Sequence, residues 1–427
     1  SLRFDQTSDA AEGWSGRITN AAGTVVRSYS WNRTAEPFEW NGADRAGNTL
    51  PDGEYIYTVT GTDEAGNTGT FRSGPITIDT RPTRIYVTLG SRRFSPNGDG
   101  ILDSLEIGLI TNRTDGAEER VVDIVNAAGA VVRTFRADRV QGRETVLWDG
   151  KDERGRVTDG QFTVRYRVIY NNGAVPQVDS PSVTLDTAGP ELTATLKGLP
   201  FSPDNDGLND ELTIHLAARD ASPISSWSFD ILDRGNRPFY RFQGTGDPRR
   251  ELIWDGRSTD GETVISAEDY PYRFTAVDAV GNRSEVRGVI PIDILVIRDG
   301  DLLKIQISNI NFEPNSPVLQ LDAATEEGAK NIAVLDRLVQ VFDKYQTYRI
   351  RVEGHAVNVT QTEREEREEL QPLSLARAQT VRTALIERGM DPGRISTVGR
   401  GGTAPVVPHT DLNNRWKNRR VEFILIR

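Results

Sequence analysis

At 427 residues the chain is long enough for three or four domains. Its 37% hydrophobic content is globular, and its net charge of −11 argues against nucleic acid or an anionic membrane surface as partner. The absence of cysteine excludes disulfides and thiolate metal sites, and no apolar run is long enough to span a bilayer.

The chain opens at Ser1 with no Met and no signal peptide. We expect processing or trimming to have removed the true start, with any lipid-anchor cysteine. The first 300 or so residues are a repeat. Trp40-Asn-Gly42, Trp148-Asp-Gly150 and Trp254-Asp-Gly256 recur with a period of about 107 residues, and the Phe-Ser-Pro segment from Phe94 to Asp103 returns at Phe201 to Asp210. That period means tandem domains, because solenoid repeats run at about 20–50 residues. Ile18 to Arg27 and Ile124 to Arg133 match almost residue for residue as strand, Asn/Gly turn, strand, which is a hairpin pattern. Beyond each Trp-x-Gly the apolar residues alternate: Tyr55, Tyr57, Val59; Phe162, Val164, Tyr166; Tyr272, Phe274, Ala276. Roughly seven short strands per unit predict a sandwich of two sheets.

The Trp-Asp-Gly, Gly-x-Tyr and Asp-x-x-Gly-Asn elements resemble the Ig-like repeats of flagellar hook-capping proteins and bacterial surface proteins. On that basis we divide the region into Ig-like repeats at 1–82, 83–190 and 191–298. The first copy lacks the Phe-Ser-Pro segment and is either naturally short or truncated.

Two readings stay open for the Phe-Ser-Pro-Asn-Gly-Asp-Gly loop. Oxygens at Ser95, Asn97, Asp99, Asp103 and Glu106 approach the spacing of a calcium loop, with Asp204, Asp206 and Asp210 in the second copy. A serine at the first position of both copies, and Thr213 where a bidentate Glu is wanted, favour an Asx/Gly turn. We commit to no metal and expect no other cofactor.

Residues 301–427 read differently. Lys304 to Ile310, Tyr348 to Val352 and Val421 to Leu425 alternate as strands. From Asp322 to Tyr345, Ala329, Ile332, Leu335, Leu338, Val339 and Phe342 recur at helical spacing, with acids at the start where the helix dipole favours them. A second helix is expected from Ser374 to Arg388, with Ser374 as N-cap and Gly389 as stop. Strands and helices in turn predict a two-layer α/β sandwich. On this reading Arg377 stands in the first turn of its helix, where its charge opposes the dipole at a cost of about 0.3–1 kcal/mol. A guanidinium fork aimed out of a helix start suits bidentate capture of a carboxylate; an ion pair with an upstream Glu is the structural alternative.

Five segments in order carry a resemblance: Ile310 to Ser316, Arg351 to His355, Leu373 to Ala378, Arg394 to Gly399, and Asn418 to Glu422. Together they resemble the OmpA-like C-terminal domain, an envelope module that grips the diamino acid of the peptidoglycan stem peptide. The resemblance implies a ligand site at Gly354, His355, Val357, Arg377, Arg415, Asn418 and Arg419. It implies too that an Asp taking the ligand ammonium should stand where this chain has Val357. A charge-assisted hydrogen bond is worth roughly 1.5–3 kcal/mol, so stem-peptide binding is expected to be weak or lost. The usual Asn before the Leu-Ser pair is replaced by Leu370, after a long charged insert from Gln361 to Glu369. That insert is a solvated helix or loop, a source of a substitute carboxylate, or a cover over the pocket.

The expected fold class is thus multidomain, with N-terminal tandem all-β Ig-like sandwiches followed by a C-terminal α/β two-layer OmpA-like domain. His215, His355 and His409 lie far apart, and no phosphate loop, nucleophile elbow or zinc spacing occurs. We therefore expect a non-catalytic periplasmic or cell-envelope protein that binds peptidoglycan weakly or not at all. The alternatives are an adaptor for other envelope proteins, or a true peptidoglycan anchor that uses a Glu of the insert.

Overall fold

In the computed structural model, which describes residues 1–9, 12–308 and 310–427, the chain forms two compact units, Ser1–Asp186 and Thr187–Arg427. The first unit holds two sandwiches. In one, a five-stranded sheet centred on Gly13–Asn20 and Gly53–Thr62 accompanies the pair Leu2–Phe4 and Phe38–Trp40. In the other, a three-stranded sheet around Leu105–Thr111 accompanies a six-stranded sheet around Ala117–Asn126 and Gly160–Tyr170. Alternation sets which side chains face inward: Tyr55, Tyr57 and Val59 are buried in one copy, Phe162, Val164 and Tyr166 in the next. Each such residue contributes about 1.5–3 kcal/mol by leaving water.

The Trp-x-Gly signature is a folding device. Each tryptophan ends a strand, is buried, and donates its indole N–H to a carbonyl three residues on: Trp40 to Ala43, Trp148 to Lys151 and Trp254 to Arg257, at 2.8–3.0 Å. Gly150 and Gly256 then take φ of +77° and +79°, a left-handed conformation that costs glycine little. A Cβ on Gly150 would stand 2.7 Å from Pro96 Cγ, and one on Gly256 2.6 Å from Pro203 Cγ. The Phe-Ser-Pro segment therefore seats its proline on the bare glycine of its own Trp-Asp-Gly. In the first copy, which lacks that segment, Ile78 Cδ1 takes the place at 3.3 Å.

The second unit joins the third sandwich to an α/β domain. Leu212–Arg219 centres one sheet of the sandwich, while Ile224–Leu232 and Asp269–Asp278 form the middle of the other. The α/β domain has one five-stranded sheet built from β1 (Ile297–Asp299), β2 (Leu302–Ile307), β3 (Arg349–Gly354), β4 (Ile395–Gly399) and β5 (Val421–Ile426). Its order is β1-β2-β5-β3-β4, antiparallel except for the parallel pair β3 and β4. Helices α1 (Glu326–Lys344) and α2 (Gln371–Glu387) pack on it around Leu335, Leu338, Phe342, Val381, Leu385 and Phe423. No helix among the described residues is long and apolar enough to cross a membrane.

Several expectations are corrected. The strand expected from Lys304 to Ile310 runs Leu302–Ile307, and Thr325, whose hydroxyl accepts from Gly328 N at 3.1 Å, caps α1 in place of a start at Asp322. Ala329 is exposed, and Asn331 faces inward in its stead. Asn331 exchanges hydrogen bonds with the backbone of Asn311 at 2.8 Å and donates to Gln320 O at 2.7 Å, pinning the loop before the helix.

The largest correction concerns Ser374, which is not an N-cap. The charged insert is itself helical, as Glu363–Glu365 and a π-turn at Glu366–Leu370 that runs straight into α2. Its cap is Thr362, whose hydroxyl accepts from Glu365 N at 3.2 Å. Pro372 accounts for the wide turn: it has no N–H to give, and its ring needs room from the carbonyl one turn back. Arg377 therefore lies well inside a helix, and the expected conflict with the dipole does not arise.

Candidate binding site

Glycine fixes where α2 meets the sheet. Gly354 and Gly399 are register partners at the ends of β3 and β4. A Cβ on Gly354 would lie 2.0 Å from Ser374 O, and one on Gly399 2.7 Å from Leu375 N. No side chain fits in either place. Ser374, at the crossing, is buried; its hydroxyl donates to Gln371 O at 3.0 Å and accepts from Gly401 N at 2.9 Å. The Leu-Ser-Leu-Ala-Arg run is thus a helix tied to a sheet edge, and that tie aims Arg377 outward, one turn further along.

Arg377 faces a cavity of about 940 Å³ at this end of the sheet, lined also by Gly354, His355, Val357 and Arg419. Its Nε donates to Ser316 O at 3.0 Å, and its guanidinium carbon stands 4.9 Å from the centre of the Phe312 ring. Both partners belong to the loop that Asn331 pins. Burial first, and then the like charge of Arg419, press the Arg377 pKa below its ordinary value. Among the described residues neither arginine has an acidic partner. Two guanidinium groups without an acidic partner at one cavity are a site for an anion, and their planar forks match a carboxylate or a phosphate.

Val357 is buried on the cavity wall and offers the ligand no polar atom. The insert contributes Glu365 and Glu369 to the lining. The Glu365 carboxylate is already engaged by the backbone N–H (2.9 Å) and hydroxyl of Thr360, which hold it below its usual range. Glu366 is turned away, accepting from Gly402 N at 2.9 and 3.0 Å. Glu369 is exposed and has no ion pair among the described residues.

Beneath the cavity, His355 is buried with its Nε2 3.5 Å from Glu422 Oε2. Burial would raise the Glu422 pKa, but His355, Arg420 (2.6 Å) and Lys304 (2.9 Å) together hold it well below the usual carboxylate range. Glu353 is held low in the same way by Arg400 and Arg351, against its burial. Glu353, His355 and Glu422 come within 4.8 Å of one another, as metal ligands would. Four cations already neutralise the two carboxylates, so a divalent ion would meet net repulsion here. His355 is a member of this network and underlies the cavity floor.

Two other expected site residues lie elsewhere. Asn418 is fully buried, and its side chain accepts from Val406 N and Val407 N and donates to Val407 O, clamping that loop. Arg415 opens the short 3₁₀ turn Arg415–Asn418 and does not line the cavity. Sequence reasoning missed Phe312, Trp416 and Arg234 as lining residues. Phe312 was within a recognised motif, whereas Arg234 belongs to another domain and gave no signal.

The Asp-rich loops hold their own backbone. Asp103 accepts from Gly98 N (2.7 Å) and Gly100 N (2.9 Å); Asp210 does the same for Asn205 N (2.6 Å) and Gly207 N (2.8 Å). Asn97 and Asp99 complete the first loop between themselves at 3.0 Å, and Asp206 accepts from Leu208 N at 2.8 Å. Glu106 lies outside the loop, on an exposed position of its strand beside Gly90. Asp204 spends one oxygen on Val296 N at 3.0 Å. Burial first, and then Asp206 and Asp210, raise its pKa in spite of that bond. These are Asx turns, the second of which ties the sandwich to the start of the α/β domain.

Comparison with known proteins agrees with this division. Residues 311–419 match the OmpA family, and residues 1–65 match the FlgD Ig-like domain. A peptidoglycan-associated lipoprotein of Rhizobium meliloti is 34% identical over 116 residues, 27% of this chain and 58% of that protein. The probable lipoprotein YiaD of Escherichia coli is 28% identical over 148 residues, 34% of this chain and 58% of that one. Among solved structures, the periplasmic domain of Helicobacter pylori MotB (residues 90–256) aligns at 24% identity and a TM-score of 0.25, covering 30% of this chain and 76% of that one. A tandem-repeat region of a large adhesion protein aligns over 67% of this chain and 68% of its own, at 18% identity and a TM-score of 0.28. The chain spans a little over half the length of the two curated relatives. It carries an OmpA-family domain at its C-terminal end and a FlgD-type Ig-like domain at its N-terminal end.

Proposed function

We propose that this is a non-catalytic protein of the cell envelope, working in the periplasm, whose α/β domain binds the carboxylate end of a peptidoglycan stem peptide at Arg377. One observation carries the reading: Arg377 is half-buried, oriented by Phe312 and Ser316, and without an acidic partner among the described residues, at a cavity with room for a ligand. A relative that is peptidoglycan-associated by name supports it. Recognition of the ligand ammonium is weakened, because Val357 stands where a carboxylate would take it. That loss amounts to roughly 1.5–3 kcal/mol, or about ten- to a hundredfold in affinity. A second reading is favoured by Glu369, whose exposed and unpaired carboxylate lines the same cavity and can serve the ammonium in place of the missing Asp.

Co-sedimentation with purified sacculi tests this. The chain should bind, Arg377→Ala should not, and Val357→Asp should bind about ten- to a hundredfold more tightly. If Glu369 serves the ammonium, Glu369→Gln should weaken binding and Val357→Asp should rescue it. No retention of the unmodified chain or of Val357→Asp would point instead to an adaptor that holds envelope proteins and not the wall.

A further inference from the structure

Building on the reading of the Arg377 cavity as a carboxylate site, we propose that the site is shared between two domains: Arg234 of the third sandwich contacts a second carboxylate of the same peptide ligand. Arg234 lies in the turn that links Ile224–Leu232 to Pro238–Thr245. That turn is fixed from within, since Asp233 accepts from the backbone N–H and Nε of Arg237 at 2.9 and 2.8 Å. It is also docked on the α/β domain. Arg237 Nη2 donates to Asn414 Oδ1 at 3.1 Å, and Lys417 meets Glu262 at 3.2 Å. Deeper in the contact, Asp293 grips Arg337 of α1 through two hydrogen bonds of 2.8 and 2.5 Å, and Ile294 is buried in the α/β core.

Held there, the Arg234 guanidinium lies 5.3 Å from the centre of the Trp416 ring, and both residues line the cavity that holds Arg377 and Arg419. Stacking on an aromatic face orients a guanidinium and leaves its in-plane N–H groups free to donate. Arg337, which docks the domains, closes on an acid. Arg234 has no ion pair among the described residues, although the charge of Glu268 reaches it. Arg234 reaches the cavity from the sandwich turn, whereas Arg377 reaches it from α2. A ligand that engages both presents carboxylates at two places, as an acidic peptide does. Clusters of arginine recognise acidic peptides by this division of labour.

The test is calorimetric titration of the full chain with two probes: a stem peptide carrying a diamino acid, and the same peptide with its second carboxylate amidated. Arg234→Ala should weaken the free peptide about five- to tenfold and leave the amidated peptide unchanged, while amidation should weaken the wild type by the same factor. Arg237→Ala, which loosens the docked turn that holds Arg234, should weaken the free peptide by no more than Arg234→Ala does and leave the amidated peptide unchanged. Equal affinity of wild type and Arg234→Ala for the free peptide, with Arg377→Ala inactive, would overturn the shared site and leave the Arg377 reading standing. An equal loss of the free and the amidated peptide in Arg234→Ala would also overturn it, by assigning the effect to docking and not to the second carboxylate. Failure of the wild type to bind either peptide would overturn both readings.

Discussion

Replacing Asn418 by alanine separates a clamp from a ligand contact at a position where the sequence suggests the second. Its side chain makes three hydrogen bonds, at 2.8, 3.1 and 2.8 Å, to the backbone of Val406 and Val407, and it is fully buried. At about 0.5–1.5 kcal/mol each, three lost bonds sum to roughly 1.5–4.5 kcal/mol. Val406 is exposed, so its amide regains water when the partner is removed, and the expected loss settles near 2–3 kcal/mol. Urea unfolding of the full chain, followed through the transition of the Thr187–Arg427 unit, measures that loss. Amide hydrogen exchange locates it, with Val406 and Val407 losing protection while the strands of the sheet keep theirs. A change under about 0.5 kcal/mol together with a loss of peptide affinity would refute the clamp and return Asn418 to the ligand.

Further outcomes follow from the buried charges and the Asp-rich loops. Because the folded pKa of Glu422 is depressed, its contribution is present above about pH 4.3 and is lost as pH falls through the folded value. Glu422→Gln should cost roughly 3–5 kcal/mol at neutral pH, yet show a shallower acid dependence in urea midpoints than the wild type; parallel pH curves would contradict this. Calcium at a hundred times its dissociation constant would add about 2.7 kcal/mol to the sandwich it bound. With Asp103 and Asp210 occupied by turn amides, we expect neither calcium nor chelator to move the thermal midpoints, and a rise with calcium would show a metal site.

The sandwiches were legible because burial alternates along strands such as Gly53–Thr62 and Gly160–Tyr170 and because each Trp-x-Gly marks a strand end whose indole and glycine are both needed. Helix boundaries were less so. Thr362 and Glu365 hold the positions of an N-terminal capping pair, and Arg364 reaches Glu368 at 3.0 Å one turn on, both signals of helix in the charged insert. A proline is commonest in a first turn, and here a π-turn accommodates Pro372 further in. The motif singled out Arg377, though the electrostatic reason was mistaken: it is held by a phenylalanine and a carbonyl from a loop some sixty residues earlier. Arg415, Asn418 and Arg419 look equivalent in sequence, and only the 3₁₀ turn decides that Arg419 lines the cavity while Asn418 faces inward. Arg234 could not be read at all, since its role depends on how one sandwich docks on the next domain.

The central claim is tested most directly by a crystal structure of the full chain with a diamino-acid stem peptide bound. The account predicts a ligand carboxylate within hydrogen-bonding distance of Arg377, with Arg419 close by and no polar contact at Val357. A peptide seated anywhere else, with Arg377 still engaged only by Phe312 and Ser316, would contradict it.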